Sequence, residues 1–303
     1  MTSPSTFHIE PADYATQQAL LHELRHAVFV EEQQVPAELE VDTLDPLSWH
    51  VLARDKGGSV IGTGRLTPDR RIGRMAVRAQ WRGQGVGGAL LQALLRQAGD
   101  REWEAVTLHA QLTARDFYVR HGFLPEGSEF EEAGIMHQTM CRRLSGAATV
   151  EGVAAAIAAT TALVARARRR LLIHSRHLDP KVLDAPPVME ALRRFATARN
   201  DKQVSILVHD ASVVQQAHSP LLALAQRLPS VFHFREPVDP VDRNYPSAYV
   251  LNDNGDCYFR LLDYRFDGEA TFEQPSRTRP LEAEFTRMWE RSRQCSELRA
   301  LGI

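Results

Sequence analysis

Cysteine is scarce in this sequence, and signals for export or for a membrane are lacking. The three cysteines, Cys141, Cys257 and Cys295, are odd in number and have no paired spacing, which argues against a disulfide framework and a structural zinc site. Residues 1–14 contain no basic start and no continuous apolar stretch, so neither a signal peptide nor a membrane span is predicted. We therefore expect a cytoplasmic protein with reduced thiols and no bound metal.

An excess of charge of one sign is also lacking. The formal net charge is -2 for 303 residues. Residues 1–145 contain 15 basic and 19 acidic side chains, and residues 146–303 contain 21 and 19. Neither half is basic enough to suggest nonspecific binding of nucleic acid, although binding of RNA by the second half remains an open alternative.

The length suggests two domains of roughly 150 residues each. The pattern of the sequence changes at Leu144-Ser145-Gly146-Ala147-Ala148, a stretch of small residues that is typical of a boundary. We predict one domain at residues 1–145 and a second α/β domain at residues 146–303.

Hydrophobic periodicity predicts a mixed α/β fold for the first domain. A hairpin is expected around Lys56-Gly57-Gly58. The elements predicted by pattern are a helix at 17–30, strands at 49–54, 59–67 and 72–77, a helix at 86–98, a strand at 105–110 and a helix at 113–121.

A glycine-rich turn between strand 72–77 and helix 86–98 is the first candidate site. Its sequence is Arg82-Gly83-Gln84-Gly85-Val86-Gly87-Gly88. Main-chain N–H groups at a helix N-terminus bind anions, and glycines allow both positive φ angles and a close approach of a phosphate. The turn is therefore predicted to bind a diphosphate.

Other folds also use glycine-rich turns. A P-loop needs a Gly-Lys-Ser/Thr triplet, which is absent here. A dinucleotide-binding fold needs an acidic residue at the end of the next strand, but that strand ends near His109. A plain flexible turn would not explain an arginine ahead of alternating glycines.

The run Arg82-x-x-Gly85-x-Gly87 resembles the pyrophosphate-binding signature of the GNAT N-acetyltransferases. This resemblance implies acetyl-CoA as cosubstrate, with the turn on the pyrophosphate and the preceding strand along the pantetheine arm. The coenzyme-binding residues that it implies are Met75, Ala76, Val77, Arg82, Gly83, Gln84, Gly85, Val86, Gly87 and Gly88.

Residues 110–123 resemble the next GNAT motif, in which a polar residue and a tyrosine precede Gly-Phe. Gln111 stands where the family usually has asparagine. The resemblance implies that Gln111 and Phe117 contact the coenzyme and that Tyr118 protonates the departing thiolate. A phenol has a reference pKa near 10, so it is protonated at neutral pH and able to donate. The alternative is that Tyr118 only packs against the coenzyme.

Further residues resemble the ElaA-type subgroup, over residues 7–144 in all. They are Arg25, Val28, Phe29, Val30, Glu32, Gln33, Glu40, Asp42, Asp45, His50, Phe130, Glu132, Gly134, Ile135, His137 and Met140. Leu47-Ser48-Trp49 departs from the smaller residues that this subgroup has ahead of the histidine.

The acceptor must lose a proton, because an ammonium has no lone pair for attack on a thioester. Glu31, Glu32 and Asp42 are candidates for the general base, with Glu32 preferred. The alternative is that these carboxylates are solvated or structural. His137 is equally consistent with a hydrogen-bonded core residue and with a site residue.

The second half alternates strands and helices, which indicates a second α/β sandwich. The predicted elements are a helix at 150–170, a strand at 171–175, a helix at 188–198, a strand at 204–209, a helix at 211–228, strands at 231–234, 248–252 and 257–262, and a helix at 281–292.

The order of these elements resembles half of a phospholipase D-like domain. Aligning the aspartate of that motif with Asp253 places Pro246 and Ala248 where the family has its histidine and lysine. The resemblance therefore implies a domain without catalysis. His174, His177 and His209 lack a fourth ligand at metal spacing, so we expect polar residues at strand ends rather than a metal site. Arg166-Ala167-Arg168-Arg169-Arg170 is interpreted as a basic helix end.

These observations predict an N-acetyltransferase that moves an acetyl group from acetyl-CoA to a primary amine by direct attack in a ternary complex. The second domain would be a noncatalytic accessory domain. The alternative is a protein that senses acetyl-CoA without efficient turnover. Small amines, amino acids, antibiotics and protein amines all fit the motifs as acceptors.

Overall fold

A computed structural model describes residues 6–199 and 201–299. The chain divides into two compact units. The first unit comprises Met1–Arg115 and Pro125–Ser145, and the second comprises Asp116–Leu124 and Gly146–Ile303. The predicted domains therefore differ from these units at residues 116–124, which pack with the second unit.

Residues 1–5 belong to the N-terminal stretch in which no signal peptide is predicted, and they lie outside the described residues. Within the described part of the chain, no helix is both long enough and apolar enough to cross a bilayer.

The first unit is built from two small sheets and the helices between their strands. Its strands are β1 (Phe7–Ala12), β2 (Trp49–Asp55), β3 (Val60–Leu66), β4 (Ile72–Val77), β5 (Ala105–Gln111), β6 (Leu124–Glu132) and β7 (Ile135–Arg143). Its long helices are α1 (Tyr14–Arg25) and α2 (Val86–Gly99). A π-helical segment, His26–Glu32, continues α1, and short 3-10 helices lie at Ala37–Leu39, Asp45–Leu47, Ala79–Trp81 and Leu112–Ala114.

The two sheets have the orders β1-β2-β3-β4 and β5-β7-β6. Neighbouring strands within the first sheet are antiparallel, as are β5 and β7. A single parallel bridge, Arg71 with Thr107, joins the sheets, and beyond it β4 and β5 belong to different sheets. The first unit therefore has a gap between β4 and β5, two strands that run in the same direction.

Helix α2 lies close to β3 because β3 contains glycine. A Cβ atom at Gly62 would lie 2.9 Å from Leu90 Cδ1, 3.1 Å from Val86 Cγ1 and 3.2 Å from the carbonyl oxygen of Ala76. Val86 is the first residue of α2, so this contact lies at the start of the helix.

Most predicted elements of the first unit are present with shifted ends. The strand predicted at 72–77 is β4, and the helix predicted at 86–98 is α2. The helix predicted at 17–30 begins earlier, because the Asp13 carboxylate accepts a hydrogen bond from the Ala15 amide, and it changes to π-helix after Arg25. Strands β1, β6 and β7 were not predicted.

The second unit contains one large sheet. Its strands are β8 (Ala148–Val150), β9 (Arg170–His174), β10 (Gln203–Leu207), β11 (Phe232–Pro237), β12 (Ala248–Asn252), β13 (Cys257–Arg260), β14 (Gly268–Thr271) and β15 (Ser292–Gln294). The helices are α3 (Arg115–Arg120), α4 (Gly152–Arg166), α5 (Pro180–Leu183), α6 (Pro186–Thr197), α7 (Ala211–Gln216), α8 (Pro220–Arg227), α9 (Pro240–Arg243) and α10 (Pro275–Arg291). The first residue of α3, Arg115, still belongs to the first unit, and the rest of this helix belongs to the second.

The strand order is β15-β11-β10-β9-β12-β13-β14-β8. Strands β9, β10 and β11 are parallel, and the other neighbours are antiparallel. Tyr249 and Leu251 of β12 pack with Phe285 and Met288 of α10. The intervening Val250 lines a small cavity with residues of α4 and α5. Alternate residues of a strand face opposite sides, so helices cover both faces of this mixed sheet.

Three details of the second unit differ from the pattern-based prediction. The helix predicted at 211–228 is two helices, because the Ser219 hydroxyl caps α8 and Pro220 is its first residue. The last helix begins at Pro275 rather than at 281. The three- and four-residue strands β8, β14 and β15 were missed because they are too short to show periodicity.

We expect Gly62→Ala to lower the free energy of unfolding by about 1–3 kcal/mol, because the new methyl group forces Leu90 and Val86 away from β3. Denaturation in urea measures the change. Gly73→Ala is the matched control in β4, where a Cβ atom meets nothing within 4 Å. Equal stability of the two variants would contradict the close packing of α2 on β3.

Candidate active site

The outer edge of β4 is open where the two sheets of the first unit part. Ala76 and Val77 pair with Thr63 and Gly62 of β3 on one side. In the described residues, no strand pairs with the other side beyond Arg71. Arg74 has a positive φ of 51°, and the register of β4 against β3 shifts there, so the strand bends at a bulge. The sheet edge at Met75, Ala76 and Val77 therefore offers main-chain groups for hydrogen bonds, except the Val77 carbonyl, which accepts one from Arg82.

The glycine-rich turn begins after β4 and ends at the first residue of α2. Gly83 and Gly85 have positive φ angles, 73° and 86°, and added Cβ atoms there would meet no atom within 4 Å. The two glycines are thus needed for backbone conformation. Gly87 was also expected to permit a positive φ angle, but it lies in the first turn of α2 and its φ is not positive.

The N-terminus of α2 has unused hydrogen-bond donors. Gly85 is the N-cap residue and has no side chain that could cap the helix. The amide of Ala89 makes the first helical bond, to the Gly85 carbonyl, which leaves the amides of Val86, Gly87 and Gly88 without an intrahelical acceptor. Gly83, Gln84 and Gly85 are exposed. The dipole of a 14-residue helix adds a partial positive charge at the same place, so an anion is favoured here.

All three guanidinium nitrogens of Arg82 donate hydrogen bonds. Its Nη1 and Nη2 atoms donate to the two carboxylate oxygens of Glu32 at 2.5 and 2.7 Å, and its Nε donates to the Val77 carbonyl at 3.0 Å. The arginine therefore ties the glycine-rich turn to the end of β4 and to the end of the π-helical segment.

The same ion pair changes the chemistry of Glu32. Its hydrogen bond from Arg82 is the main cause of a lowered pKa for the Glu32 carboxyl. A carboxylate that is paired and has a lowered pKa is a weaker proton acceptor. In this geometry Glu32 lies beside the turn and is held by Arg82, and its role as the base stays a prediction.

Gln111 lies at the end of β5 and also contacts the π-helical segment. Its Nε2 donates to Gln33 Oε1 at 2.9 Å. Glu32 and Gln33 are adjacent, so one short stretch of chain touches both the glycine-rich turn and the end of β5. The fold thus brings Glu32, Arg82 and Gln111 together at the gap between β4 and β5.

Tyr118 and Phe117 lie on α3, which packs with the second unit. The Tyr118 ring has edge contacts with Phe117 and Phe123, with ring centres 5.0 and 5.9 Å apart. Burial raises the pKa of Tyr118 to about 12. No hydrogen bond joins its hydroxyl to another of the described residues. The phenol therefore keeps its proton at neutral pH and is free to donate it.

Two sequence families match this chain, one for each half. Residues 11–144 match the acetyltransferase (GNAT) domain, and residues 152–301 match a domain of unknown function, DUF7931. The chain is 38% identical over 123 residues to the uncharacterized N-acetyltransferase YjcF of Bacillus subtilis, and the match covers 39% of this chain and 87% of that protein. The chain belongs to the GNAT acetyltransferase family.

Solved structures also resemble the GNAT half. An acyl-CoA N-acyltransferase from Pseudomonas aeruginosa is 32% identical with a TM-score of 0.41, covering 45% of this chain and 99% of that one. ElaA of Escherichia coli is 28% identical with a TM-score of 0.41 and the same coverage. This chain is a GNAT acyltransferase whose second half matches DUF7931. The phospholipase D-like resemblance of that half stays a prediction.

The residues of the ElaA-type pattern form a buried ion cluster in the GNAT half. Arg25 is fully buried and pairs with Glu40 and with Asp45, the latter through two hydrogen bonds of 3.0 and 2.9 Å. Arg25 also donates to the Glu40 carbonyl at 2.6 Å. His50 Nε2 donates to the Asp45 carbonyl at 2.8 Å. These contacts hold the chain between α1 and β2.

Arg65 and Arg74 complete the cluster and were missed from the sequence. Arg65 contacts Asp42 at 2.8 Å and Asp45 at 2.5 Å, and Arg74 contacts Asp42 at 3.1 Å. Although burial alone would raise the pKa of the Asp42 carboxyl, the hydrogen bonds from Arg65 keep it lowered. Asp42, a candidate base, is therefore engaged as a structural anion. An arginine inside an apolar strand pattern, as at Arg65, was the signal that could have revealed this.

The remaining candidates have simple surroundings. Glu31 is exposed and lies 3.3 Å from His26. His137 donates from Nδ1 to the Ile135 carbonyl at 2.8 Å, and its ring stacks on Phe130. His137 is thus hydrogen-bonded, as one of the two interpretations expected.

We expect Asp45→Asn to lower the free energy of unfolding by about 3–5 kcal/mol, because it removes the carboxylate that two buried guanidinium groups share and leaves three arginines of the cluster with two carboxylates. Burial alone would raise the pKa of Asp45, but the bonds from Arg25 and Arg65 lower it to about 2. A depressed pKa stabilises the fold above the unfolded value near 4, and this stabilisation is lost as the pH falls towards 2.

Denaturant titrations between pH 7 and pH 3 would measure both effects, with Asp69→Asn as control. Asp69 forms an exposed pair with Arg71, so its loss should cost at most about 1 kcal/mol. A cost for Asp45→Asn no greater than that of the control would refute the structural role of the cluster.

Proposed function

We propose that this GNAT enzyme transfers an acetyl group from acetyl-CoA to a primary amine by direct attack in a ternary complex. The observation that carries the proposal is the open N-terminus of α2, where Gly85 leaves the amides of Val86, Gly87 and Gly88 free beside the unpaired edge of β4. A doubly anionic diphosphate suits these amides, and a pantetheine arm with amide groups suits a free strand edge.

The geometry of the turn supports the following coenzyme-binding roles. The main-chain amides at residues 83–88 bind the diphosphate, and Met75, Ala76 and Val77 pair with the pantetheine arm. Arg82 acts mainly by holding the turn, since Glu32 and Val77 occupy its guanidinium. Gln111, held by Gln33, lines the end of the gap, and Phe117 provides an apolar surface for the coenzyme.

The reaction requires two proton movements. The neutral amine attacks the thioester carbonyl, and collapse of the tetrahedral intermediate breaks the carbon–sulfur bond and releases the coenzyme thiolate. Tyr118 donates its proton to that thiolate, because its raised pKa keeps it protonated. The amine loses a proton to a base. Glu32 could serve as that base only if its hydrogen bonds with Arg82 break. We therefore propose that its main role is to hold the glycine-rich turn through Arg82.

The acceptor-side segment is proposed to resemble that of the ElaA-type enzymes, since the buried cluster of Arg25, Glu40 and Asp45 uses the residues of that pattern. The second half is proposed to be noncatalytic towards the acetyl group and to recruit or shape the acceptor. A sensor of acetyl-CoA is the alternative. Release of free thiol with any member of an amine panel would favour the enzyme over the sensor.

Gly85→Glu is expected to abolish binding of acetyl-CoA, because it places a carboxylate at the amides that bind the diphosphate. Titration calorimetry measures the affinity. Gly58→Glu is the matched control, since Gly58 also has a positive φ, 83°, but lies in the exposed β2–β3 hairpin. Unchanged affinity in Gly85→Glu would remove the assignment of the site.

Tyr118→Phe is expected to lower kcat by about 100-fold or more while the affinity for acetyl-CoA stays within about twofold, since only the proton donor is removed. A thiol-release assay gives kcat, and calorimetry gives the affinity. Phe123→Leu tests for a packing effect alone, because Phe123 contacts the Tyr118 ring. Equal turnover of Tyr118→Phe and wild type would dispose of the acid role.

A further inference from the structure

Two buried histidines of the second unit face each other at the carboxyl ends of neighbouring parallel strands. His174 ends β9, and His209 follows β10. Their Nε2 atoms are 3.1 Å apart. His174 is 1% exposed and His209 is 9% exposed, so water does not surround either ring.

The other ring nitrogens fix the tautomers. His174 Nδ1 lies 3.0 Å from the carbonyl oxygen of Ser247, and His209 Nδ1 lies 3.0 Å from that of Arg243. A carbonyl oxygen only accepts hydrogen bonds, so both Nδ1 atoms must carry a proton. A neutral imidazole has one N–H group, and both Nε2 atoms would then be bare lone pairs that point at each other.

Two neutral histidine rings therefore have one N–H group too few for these contacts. Three hydrogen-bond contacts need three N–H groups, but two neutral rings supply only two. A separation of 3.1 Å suits an N–H···N hydrogen bond. Among the described residues, no group of three possible ligands surrounds a metal position, so a cation with its usual three or four protein ligands does not fit.

We propose that His174 and His209 form a binding site for one proton, which is shared between their Nε2 atoms and is held by the folded protein at neutral pH. With this proton in place, all three hydrogen bonds are satisfied and each becomes charge-assisted. The site joins the end of β9, the end of β10 and the two carbonyl groups of the chain that leads into β12.

Some groups around the two histidines favour a positive charge on the rings, and others oppose it. The ring of His174 stacks on Tyr249 at 5.2 Å and meets Tyr245 edge-on at 5.1 Å, and aromatic faces stabilise a cationic ring. Asp263 favours the added positive charge, and it also pairs with Arg176, which opposes the charge.

Burial works against the proton. It is the largest influence that lowers the pKa of each ring taken singly, His174 and His209 alike, and the nearby Arg176 acts in the same direction. Burial acts on each ring separately, however, whereas the neutral pair must also bring two lone pairs together at 3.1 Å. The observed geometry satisfies all its contacts only in the protonated pair.

Nitrogen-15 NMR of histidine-labelled full-length protein at pH 7 tests the proposal directly. We expect one pair of rings in which both Nδ1 atoms are protonated and both Nε2 shifts lie between the imidazole and imidazolium values. The spectrum of His209→Gln assigns the pair. Two neutral rings with unprotonated Nε2 atoms, or a ring that lacks a proton on Nδ1, would overturn it.

The pH dependence of thermal unfolding gives a second readout. A proton held by the fold raises the pKa of the pair above the unfolded value near 6.5, so its stabilisation is complete below that pH and is lost as the pH rises. We expect the melting temperature of wild type, relative to His209→Gln, to fall by roughly 3–5 °C per pH unit above pH 6.5 until the pair titrates.

His218→Gln is the matched control, because His218 is exposed and its Nδ1 contacts only the local carbonyl of Gln216. It should leave the slope of the wild type unchanged. A stabilisation by the pair that instead disappears on acidification below pH 6.5 would show a neutral pair and contradict the proposal. The NMR measurement on wild type decides the matter even if His209→Gln does not fold.

Discussion

The open N-terminus of α2 is the constraint on which the rest of the GNAT half depends. A helix start attracts an anion only while its first amides stay free, and any polar side chain at the cap position would satisfy them from within the protein. Gly85 meets this need because it has no side chain and adopts a φ of 86°. Gly62 of β3 allows Val86 and Leu90, in the first turns of this helix, to pack directly on the sheet.

Ion pairs hold the chain around that helix start. At the surface, Arg82 connects Glu32 to the glycine-rich turn and to β4. In the interior, Arg25 and Arg65 surround Asp45. Burying such charges is costly, and the cost is met here by nearly complete hydrogen bonding, although Arg65 Nε has no partner. The main effect of the cluster is to define one position for the segment between α1 and β2, which forms the acceptor side in the proposed function.

The second unit includes the helix on which Tyr118 lies. Helix α3, which carries the tyrosine of the second acetyltransferase motif, packs with it. Gly122 at the end of this helix lies against Phe272, since a Cβ atom there would be 3.2 Å from the Phe272 ring. The position of Tyr118 therefore depends on contacts in the second unit.

The sequence alone determined the local features of this protein. The spacing of apolar residues and the positions of the glycines predicted β4, the turn at 82–88 and α2. These features are local, because the backbone conformation and the apolar face of an element depend on residues close together in the sequence. Tertiary structure decided the partners of the charged and titratable groups. Glu32 meets Arg82 across 50 residues of chain, and His174 meets His209 across 35. Such pairs depend on how strands and helices that are distant in the sequence pack together. The spacing of apolar residues within one element carries no information about this packing.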